Sequence, residues 1–217
     1  MYIVEGNIGV GKTTFLSIIN ENCPEITVVE EPKDNWTSQV KGQSLLANFY
    51  ADIKRWAYTM ETWAMICRVN YHMEAQKDPN PNRIMERSIY SGHYCFALND
   101  YENGFLSDTE WHVYSKWVDI LIHNKCRPPK GFIYLQSTPE TCYRRVQIRN
   151  RCSESNLTLD YLKQIHKYHE RFLIQKDLLT TELNCVPVLI LDCDEEFEHN
   201  HSKKHDIIKK VKDFIEK

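Results

Sequence analysis

The sequence predicts an α/β fold in which a parallel sheet of five strands is flanked by helices. Short apolar segments alternate along the chain with longer segments of helical pattern, which is typical of strand–helix–strand units with parallel strands. The apolar segments are brief, as expected of strands that are buried on both faces. No linker rich in Gly or Ser interrupts them, so residues 1–217 are expected to form a single domain.

Each predicted element follows from this alternation and from the residues that interrupt it. Prolines precede the third and fourth predicted strands, where they mark connections. Strands are predicted at residues 2–4, 26–29, 84–85, 132–135 and 188–191. Helices are predicted near residues 12–22, 43–50, 54–77, 92–101, 108–124, 139–150, 158–182 and 203–216.

Composition excludes several classes of protein. The 27 Lys and Arg against 30 Asp and Glu give a net charge of −3, which excludes the strong basic field of a dedicated nucleic-acid-binding protein. No apolar run approaches the roughly 20 residues of a membrane span, and the N-terminus lacks the basic start of a signal peptide. The eight cysteines form no Cys-x-x-Cys pair, which indicates reduced thiols. A cytoplasmic protein without a nucleic-acid or membrane partner is expected.

Glycine is scarce, with seven residues in 217, yet three of them lie within residues 6–11. Residues 6–13 read Gly-Asn-Ile-Gly-Val-Gly-Lys-Thr, which fits G-x-x-x-x-G-K-[ST] between a predicted strand and a predicted helix. Such a loop turns its backbone N–H groups around a phosphate, while Lys12 reaches the β and γ phosphates and the Thr13 hydroxyl binds Mg²⁺. The motif predicts a site for a nucleoside triphosphate and Mg²⁺, formed by Gly6, Asn7, Gly9, Gly11, Lys12, Thr13 and Thr14.

Two classes of phosphate-loop protein are disfavoured by missing motifs. A GTPase needs Asn-Lys-x-Asp, and the nearest match, at residues 124–127, ends in Arg127. A motor or ATPase usually carries an Asp after an apolar strand, whereas the third predicted strand ends in Glu86 and Arg87. The remaining class transfers a phosphoryl group to a small acceptor. That reaction requires a base for the acceptor hydroxyl, cations along the phosphoryl group and a lid against water.

Three charged clusters could supply these groups. Glu31 follows the second predicted strand, and Glu86 with Arg87 follows the third, at the edge where ligands bind in open α/β sheets. A carboxylate there can accept a proton from an attacking hydroxyl. The third cluster has four arginines between Arg144 and Arg151, whose permanent forked charges suit a clamp on phosphates. A lid is therefore predicted at about residues 144–156.

In combination, these motifs resemble those of the deoxyribonucleoside kinases, which include deoxycytidine, deoxyguanosine and mitochondrial thymidine kinases and the broad-specificity insect enzyme. The similarity extends from residue 2 to about residue 214. It implies a P-loop kinase fold, ATP with Mg²⁺ as the phosphate donor, a deoxynucleoside as the acceptor, and a homodimer. The shared motifs are Gly6-Asn-Ile-Gly-x-Gly-Lys-Thr-Thr14, Glu31-Pro32-x-x-x-Trp36, Glu86-Arg87-Ser88, the arginine lid ending in Glu154, and Leu191-Asp-Cys-Asp-Glu-Glu-Phe197.

The resemblance also implies roles for individual residues. Glu31 is expected to take the proton of the deoxyribose 5′-OH, and Arg87 to hold that hydroxyl and the incoming phosphoryl group. Glu86 is expected to reach Mg²⁺. The other implied roles are those of Arg145, Arg149 and Arg151 over the donor phosphates, Tyr50 and Glu154 at the sugar 3′-OH, Glu196 and Phe197 at the donor adenine, and Trp36 as a wall of the nucleoside pocket.

Glu61 is the clearest departure from the family pattern, which has Gln in this place to pair with the base. An ionised Glu offers only acceptors, and guanine is the base whose edge has two adjacent donors, N1–H and N2–H₂. Arg68 lies on the same helix face and could donate to guanine O6. Gly92 stands where relatives carry a base-reading Asp, which leaves room for a larger base.

Several alternatives stay open at this stage. Guanine preference is one interpretation; pairing of Glu61 with Arg68, which would favour cytosine or pyrimidines broadly, is another; adenine preference or a solvent-facing Glu61 is a third. A nucleoside-monophosphate kinase such as a thymidylate kinase is an alternative function, although Glu31 would repel the phosphate of its acceptor. A non-catalytic nucleotide-binding module is a further alternative, although it would have no use for a base.

Overall fold

The computed structural model describes residues 1–31, 34–37, 39–40, 43–179 and 181–216, so Pro32 of the acceptor motif lies outside the described residues. In chain order the strands are β1 Tyr2–Glu5, β2 Thr27–Val29, β3 Gln39–Val40, β4 Gln43–Ser44, β5 Arg83–Glu86, β6 Gly131–Gln136 and β7 Val188–Asp192. The α-helices are α1 Lys12–Asn22, α2 Asp34–Thr37, α3 Leu45–Ala51, α4 Ile53–Ala75, α5 Ile89–Ser91, α6 Leu98–Glu102, α7 Asp108–Lys125, α8 Pro139–Arg149, α9 Leu159–Glu170, α10 Thr181–Asn184 and α11 His201–Ile215. Two π-helical segments, Gly92–Ala97 and Arg171–Gln175, and a 3₁₀ turn, Cys152–Glu154, complete the elements of the described chain.

Five strands form one parallel sheet in the order β2-β5-β1-β6-β7. Strand β1 is central, and its Ile3 lies opposite Met85 on one side and Phe132 on the other. All four residues of β1 are buried, as the apolar pattern predicts for a strand covered on both faces. The predicted α/β fold with a five-stranded parallel sheet flanked by helices is confirmed.

The predicted helix at residues 43–50 begins later in the structure. Gln43 and Ser44 instead pair with β3 in a short antiparallel hairpin. The Ser44 side chain then accepts a hydrogen bond from the backbone N–H of Ala47, so it caps helix α3, which begins at Leu45. The Ser before the apolar run therefore marks the start of the helix, which hydrophobic periodicity alone placed two residues too early.

The predicted helix at residues 158–182 is also shorter than expected. Helix α9 continues through the π-helical segment only to Gln175, because Lys176 takes a left-handed conformation with φ 56°. The Lys176 Nζ donates to the carbonyl oxygens of Asn184, at 2.8 Å, and Val186, at 2.9 Å. These contacts fix the turn, and the helical pattern resumes in the short α10.

The carboxyl edge of the sheet gathers acidic residues. Glu5 ends β1, Glu86 ends β5, and Glu31 lies two residues beyond β2. Glu5 is fully buried and Glu86 is 4% exposed, so both lie beneath the surface of this edge. Within the described part of the chain, no helix is both long enough and apolar enough to cross a membrane.

Candidate active site

A cavity of about 640 Å³ opens at the carboxyl edge of the sheet. Its size is typical of a small-molecule site. Of the residues predicted for the site, Gly6 and Asn7 are not among those that line it. The predicted residues that do line it are Gly9, Gly11, Lys12, Thr13, Thr14, Glu31, Trp36, Tyr50, Glu61, Arg68, Glu86, Arg87, Arg145, Arg149, Arg151, Glu154, Glu196 and Phe197.

The phosphate loop connects β1 to α1 and needs glycine for its path. Gly9 has φ +83°, and a Cβ atom there would lie 2.5 Å from the carbonyl oxygen of Cys142. A residue with a side chain would therefore push the loop away from α8. Gly11 has φ +105° at the N-cap of α1, with the Phe197 ring against it. The N-terminus of α1 thus faces the cavity with its positive dipole end.

Lys12 and Asn7 hold the loop in shape. The buried Lys12 Nζ donates to the carbonyl oxygens of Gly6, at 3.0 Å, and Asn7, at 2.8 Å. Burial first, and then the charge of Arg87, lower the pKa of Lys12 to about 7. The Asn7 amide donates to the Leu162 carbonyl at 2.9 Å, and its Oδ1 accepts the N–H of Ile8. Asn7 therefore ties the loop to α9 with its side chain.

Two arginines hold Glu31 at the middle of the cavity. Arg68 donates to Oε1 of Glu31 from Nη2 at 2.9 Å and from Nε at 3.2 Å, and Nε of Arg87 lies 3.5 Å from Oε2. Burial raises the pKa of Glu31, but the charges of Arg68, Arg87 and Lys12 outweigh burial, so the pKa lies below its ordinary value. Glu31 is thus an ionised carboxylate with a fixed orientation.

Arg87 has a strained backbone and a guanidinium that points into the site. Its φ is 60°, a left-handed conformation that is uncommon for a residue with a side chain and costs about 1–3 kcal/mol. The guanidinium stacks over the Phe96 ring at 4.8 Å. Its Nη1 is buried and has no hydrogen-bond partner among the described residues. An unpaired guanidinium N–H in a cavity next to a phosphate loop fits an anionic or hydroxyl ligand.

Glu86 and Thr13 are the oxygen donors that suit a magnesium ion. Both line the cavity, and the backbone N–H of Glu31 contacts Oε2 of Glu86 at 3.4 Å. A hydroxyl and a carboxylate are ligands that Mg²⁺ accepts beside waters and phosphate oxygens. The residues present therefore fit the predicted metal.

The arginines of the predicted lid make different contacts. Arg149 binds Glu154 at 2.6 Å, and Arg151 lies 3.7 Å from the same carboxylate. Arg145 instead donates to backbone carbonyl oxygens on both sides of the cleft, those of Val10, Cys193, Asp194 and Glu195. Arg145 thus fixes the phosphate loop against the segment after β7, while Arg149 and Arg151 are half-exposed at the mouth.

Tyr50 and Glu154 lie near one another on one wall of the cavity. Helix α3, which carries Tyr50, packs against the Cys152–Glu154 turn, and both side chains line the cavity. Burial first, and then the charge of Glu154, raise the pKa of the Tyr50 phenol. Trp36, which is 5% exposed, forms another wall, and Arg68 lies over its ring at 5.6 Å. At the donor end, Phe197 is buried against Gly11, while Glu196 is exposed.

Glu61 lies in the wall of the cavity. It precedes Arg68 by seven residues on α4, so the sequence predicts that the two side chains share one face of the helix. The hydrogen bonds of Arg68 go to Glu31, however, and Oε2 of Glu61 is buried without a hydrogen-bond partner among the described residues. Burial raises the pKa of Glu61 to about 7, against the charges of Arg68 and Arg87. The space beside Gly92 is occupied, because a Cβ there would lie 2.8 Å from Nη1 of Arg68.

Two buried acids next to the site were missed in the sequence. Glu5 accepts a hydrogen bond from the Ser88 hydroxyl at 2.6 Å, and burial raises its pKa although Arg87 is near. Its position at the end of an apolar strand was the same signal that pointed to Glu86. Asp100 on α6 is fully buried, and nothing in the short, polar sequence of that helix indicates this.

Several known proteins are similar to this chain over almost its whole length. The family model described as deoxynucleoside kinase matches residues 2–216. Deoxycytidine kinase of Homo sapiens is 35% identical over 98% of this chain and 89% of its own length. Mitochondrial deoxyguanosine kinase of Xenopus laevis is 35% identical, with 98% and 88% covered, and a probable deoxycytidine kinase of Fowlpox virus is 34% identical, with 98% and 86% covered. The chain therefore belongs to the deoxynucleoside kinase family and is a kinase of that family.

Proposed function

We propose that this kinase transfers the γ-phosphoryl group of MgATP to the 5′-OH of a deoxyribonucleoside. One observation carries the proposal: the ionised Glu31 and the unpaired Nη1 of Arg87 lie in the same cavity as the phosphate loop. An acceptor hydroxyl bound at Glu31 would share the cavity with the phosphoryl group of a nucleotide held by the loop. Its proton has a carboxylate to go to, and the phosphoryl group has a guanidinium to receive its charge.

Glu31 acts in this reaction chiefly as an oriented acceptor. A loose transition state transfers the hydroxyl proton late, so a base of low pKa is sufficient if it is held in line. The charge that develops on the phosphoryl oxygens draws the N–H groups of Arg87 away from Glu31. Glu31 then becomes more basic as the reaction advances, because Arg87 interacts with the phosphoryl group as well as with Glu31.

The donor site is proposed to run from the phosphate loop to the segment after β7. Lys12, whose pKa burial lowers to about 7, becomes fully charged when an anionic phosphate binds beside it. Thr13 and Glu86 would hold Mg²⁺, which when bound neutralises charge on the phosphates. Arg149 and Arg151, in a lid at about residues 144–156, would turn from Glu154 to the donor phosphates, and Glu196 and Phe197 would border the adenine.

The acceptor site is proposed to occupy the other half of the cavity. Tyr50 and Glu154 would bind the sugar 3′-OH, and Trp36 would pack against the nucleoside. Glu61 would face the base, with guanine or cytosine as the preferred acceptor. The proposal for the base draws support from the relatives, which are deoxycytidine and deoxyguanosine kinases by name.

The proposed assembly is a homodimer formed by α4 and α7. These helices pack together, and their outer faces expose apolar side chains that a partner subunit would cover. Sedimentation or light scattering tests this, and replacing Trp117 and Ile120 with Glu is expected to give monomers. The exposed apolar residues on the two helices are Trp63, Ile66, Tyr71, Val113, Trp117 and Ile120.

The proposed location is the cytoplasm. All eight cysteines are free, which suits a reducing compartment.

Phosphoryl transfer to the four natural deoxynucleosides and to their 5′-monophosphates, with MgATP, tests the function. The proposal expects 5′-monophosphates from one or more deoxynucleosides and no transfer to monophosphates. Transfer to monophosphates alone would make the chain a nucleoside-monophosphate kinase. Binding of ATP without transfer to any acceptor would contradict a catalytic role.

A further inference from the structure

Two buried carboxyl groups interact electrostatically next to the cavity: Glu61, which lines it, and Asp100, which does not. Glu61 on α4 is 4% exposed and Asp100 on α6 is fully buried. Oε2 of Glu61 and Oδ2 of Asp100 both lack a hydrogen-bond partner among the described residues. The pKa of Asp100 is raised well above its ordinary value, first by burial and then by the charge of Glu61. Two such carboxyls cannot both be ionised without a large cost.

The surroundings of the two carboxyls differ. Glu61 lies within the field of two guanidiniums, which favour its ionised form. Asp100 has the Asn99 amide at 3.4 Å as its hydrogen-bond donor, and its pKa is not lowered by a nearby cation. The titratable, charged and polar groups that face the pair are Arg68 on α4, Arg87 after β5, Asn99 on α6, and the phenols of Tyr50 on α3, Tyr114 on α7 and Tyr161 on α9.

The charges of this cluster also show that some of its carboxyl groups must be protonated. The guanidiniums of Arg68 and Arg87 are both in contact with Glu31, so one of their two positive charges is already balanced. Glu5, Glu61 and Asp100 are three further buried carboxyls within or next to the same cluster. If all were ionised, the cluster would carry net negative charge away from water. The cluster therefore holds protons at neutral pH, and Asp100, whose carboxyl has only the neutral Asn99 amide as a donor among the described residues, is the group that keeps one most strongly.

We propose that Glu61 is a specificity-determining residue whose charge changes within the neutral pH range while Asp100 stays protonated, so that this kinase changes its preferred base with pH. The inference rests on the proposed function, in which Glu61 faces the base. A pKa of about 7 for Glu61 agrees with it.

The chemistry of the bases gives the direction of the change. A protonated Glu61 presents one donor and one acceptor, as a glutamine does, and this pattern matches N3 and N4–H₂ of cytosine. An ionised Glu61 presents acceptors only, and these match N1–H and N2–H₂ of guanine. Preference therefore moves from deoxycytidine towards deoxyguanosine as the pH rises. A bidentate pair of this kind discriminates between bases by about tenfold or more.

The test is the ratio of kcat/KM for deoxyguanosine to that for deoxycytidine between pH 6 and pH 9. We expect the ratio to rise about tenfold in the wild type and to stay low and flat in Glu61→Gln. Glu74→Gln, an exposed change on the same helix, is the matched control and is expected to follow the wild type. A wild-type ratio that does not vary with pH overturns the proposal.

Asp100→Asn tests where the proton resides. Because the proposal has Asp100 neutral throughout this range, the neutral amide is expected to keep the wild-type midpoint. A midpoint that moves about one unit or more to lower pH would mean that Asp100 carries a charge, and would overturn the assignment. Infrared spectra supply the same answer if this variant does not fold. A carboxylic-acid band that Glu61→Gln removes should disappear near pH 7, and a second acid band should persist above pH 8; absence of the second band contradicts the proposal.

Calorimetric binding of the two nucleosides without a phosphate donor separates this proposal from the proposed function. If no phosphoryl transfer occurs but the ratio of the two dissociation constants follows pH as described, the proposed function fails and the role of Glu61 stands. If transfer occurs with a base preference independent of pH, the function stands and the role of Glu61 fails.

Discussion

Replacing Arg68 with Gln tests how Glu31 is kept ionised. The change removes the two hydrogen bonds that Arg68 donates to Oε1 of Glu31, at 2.9 and 3.2 Å, and leaves Arg87, whose Nε lies 3.5 Å from Oε2. Both side chains of the Arg68–Glu31 pair are less than a tenth exposed, so solvent cannot replace the lost interaction. Burial raises the pKa of Glu31, and the variant lacks the positive charge of Arg68 that lowers it. The pKa of Glu31 is therefore expected to rise in the variant.

The size of the shift follows from the lost hydrogen bonds. A hydrogen bond to a charged group contributes about 1.5–3 kcal/mol, and one pKa unit corresponds to 1.36 kcal/mol. Both lost hydrogen bonds end on the same oxygen and are counted together as one charged interaction, so the pKa of Glu31 should rise by about one to two units. Since the base must be ionised to accept a proton, the acid limb of the pH profile of kcat/KM should move to higher pH by the same amount.

The assay is the pH dependence of kcat/KM for the deoxynucleoside at saturating MgATP. It is made in a Glu61→Gln background, so that Glu61 does not titrate in the same range. Arg55→Gln, which changes an exposed arginine of the same helix, serves as the control and should leave the profile unchanged. An acid limb that stays within about 0.3 unit of its position when Arg68 is replaced would refute this account of Glu31.

Two further predictions concern the base end of the cavity. The folded protein holds a proton on Glu61 up to a pKa of about 7, whereas the unfolded chain releases it near 4.5, so wild-type stability falls as the pH rises between these values. Glu61→Gln is thus expected to increase the free energy of unfolding by up to about 3 kcal/mol at pH 8 and by little at pH 5, as measured by urea denaturation; equal effects at both pH values would contradict the burial of an ionised Glu61. Gly92→Ala places a Cβ 2.8 Å from Nη1 of Arg68, so it should displace the guanidinium from Glu31 and lower kcat/KM about tenfold, the equivalent of one charged hydrogen bond. Unchanged kinetics in that variant would show that Arg68 can move without consequence.

The sequence predicts most of the fold because its signals are local. The phosphate loop is a continuous motif, and Glu31 and Glu86 each follow an apolar strand, so parallel topology alone brings them to one edge of the sheet. The end of the predicted 158–182 helix was missed because it depends on the tertiary contacts of Lys176 with Asn184 and Val186.

The partners of charged residues were harder to predict. Arg68 has Glu61 two turns away on its own helix, and the helical spacing favours that pair. It pairs instead with Glu31, which the folding of α4 against the sheet edge brings within 2.9 Å. Asp100 was missed for the same reason, since an acid in a short helix becomes exceptional only when other elements bury it.

Glu31→Gln is the most direct test of the central claim, that a carboxylate held by Arg87 and Arg68 receives the acceptor proton. The measurement is kcat for the best deoxynucleoside with MgATP, with Glu30→Gln, its exposed neighbour, as the matched control. We expect Glu31→Gln to lower kcat by about 10²–10⁴-fold, the range for loss of a general base, and Glu30→Gln to leave it unchanged. A kcat for Glu31→Gln close to that of the wild type would mean that Glu31 does not receive the acceptor proton.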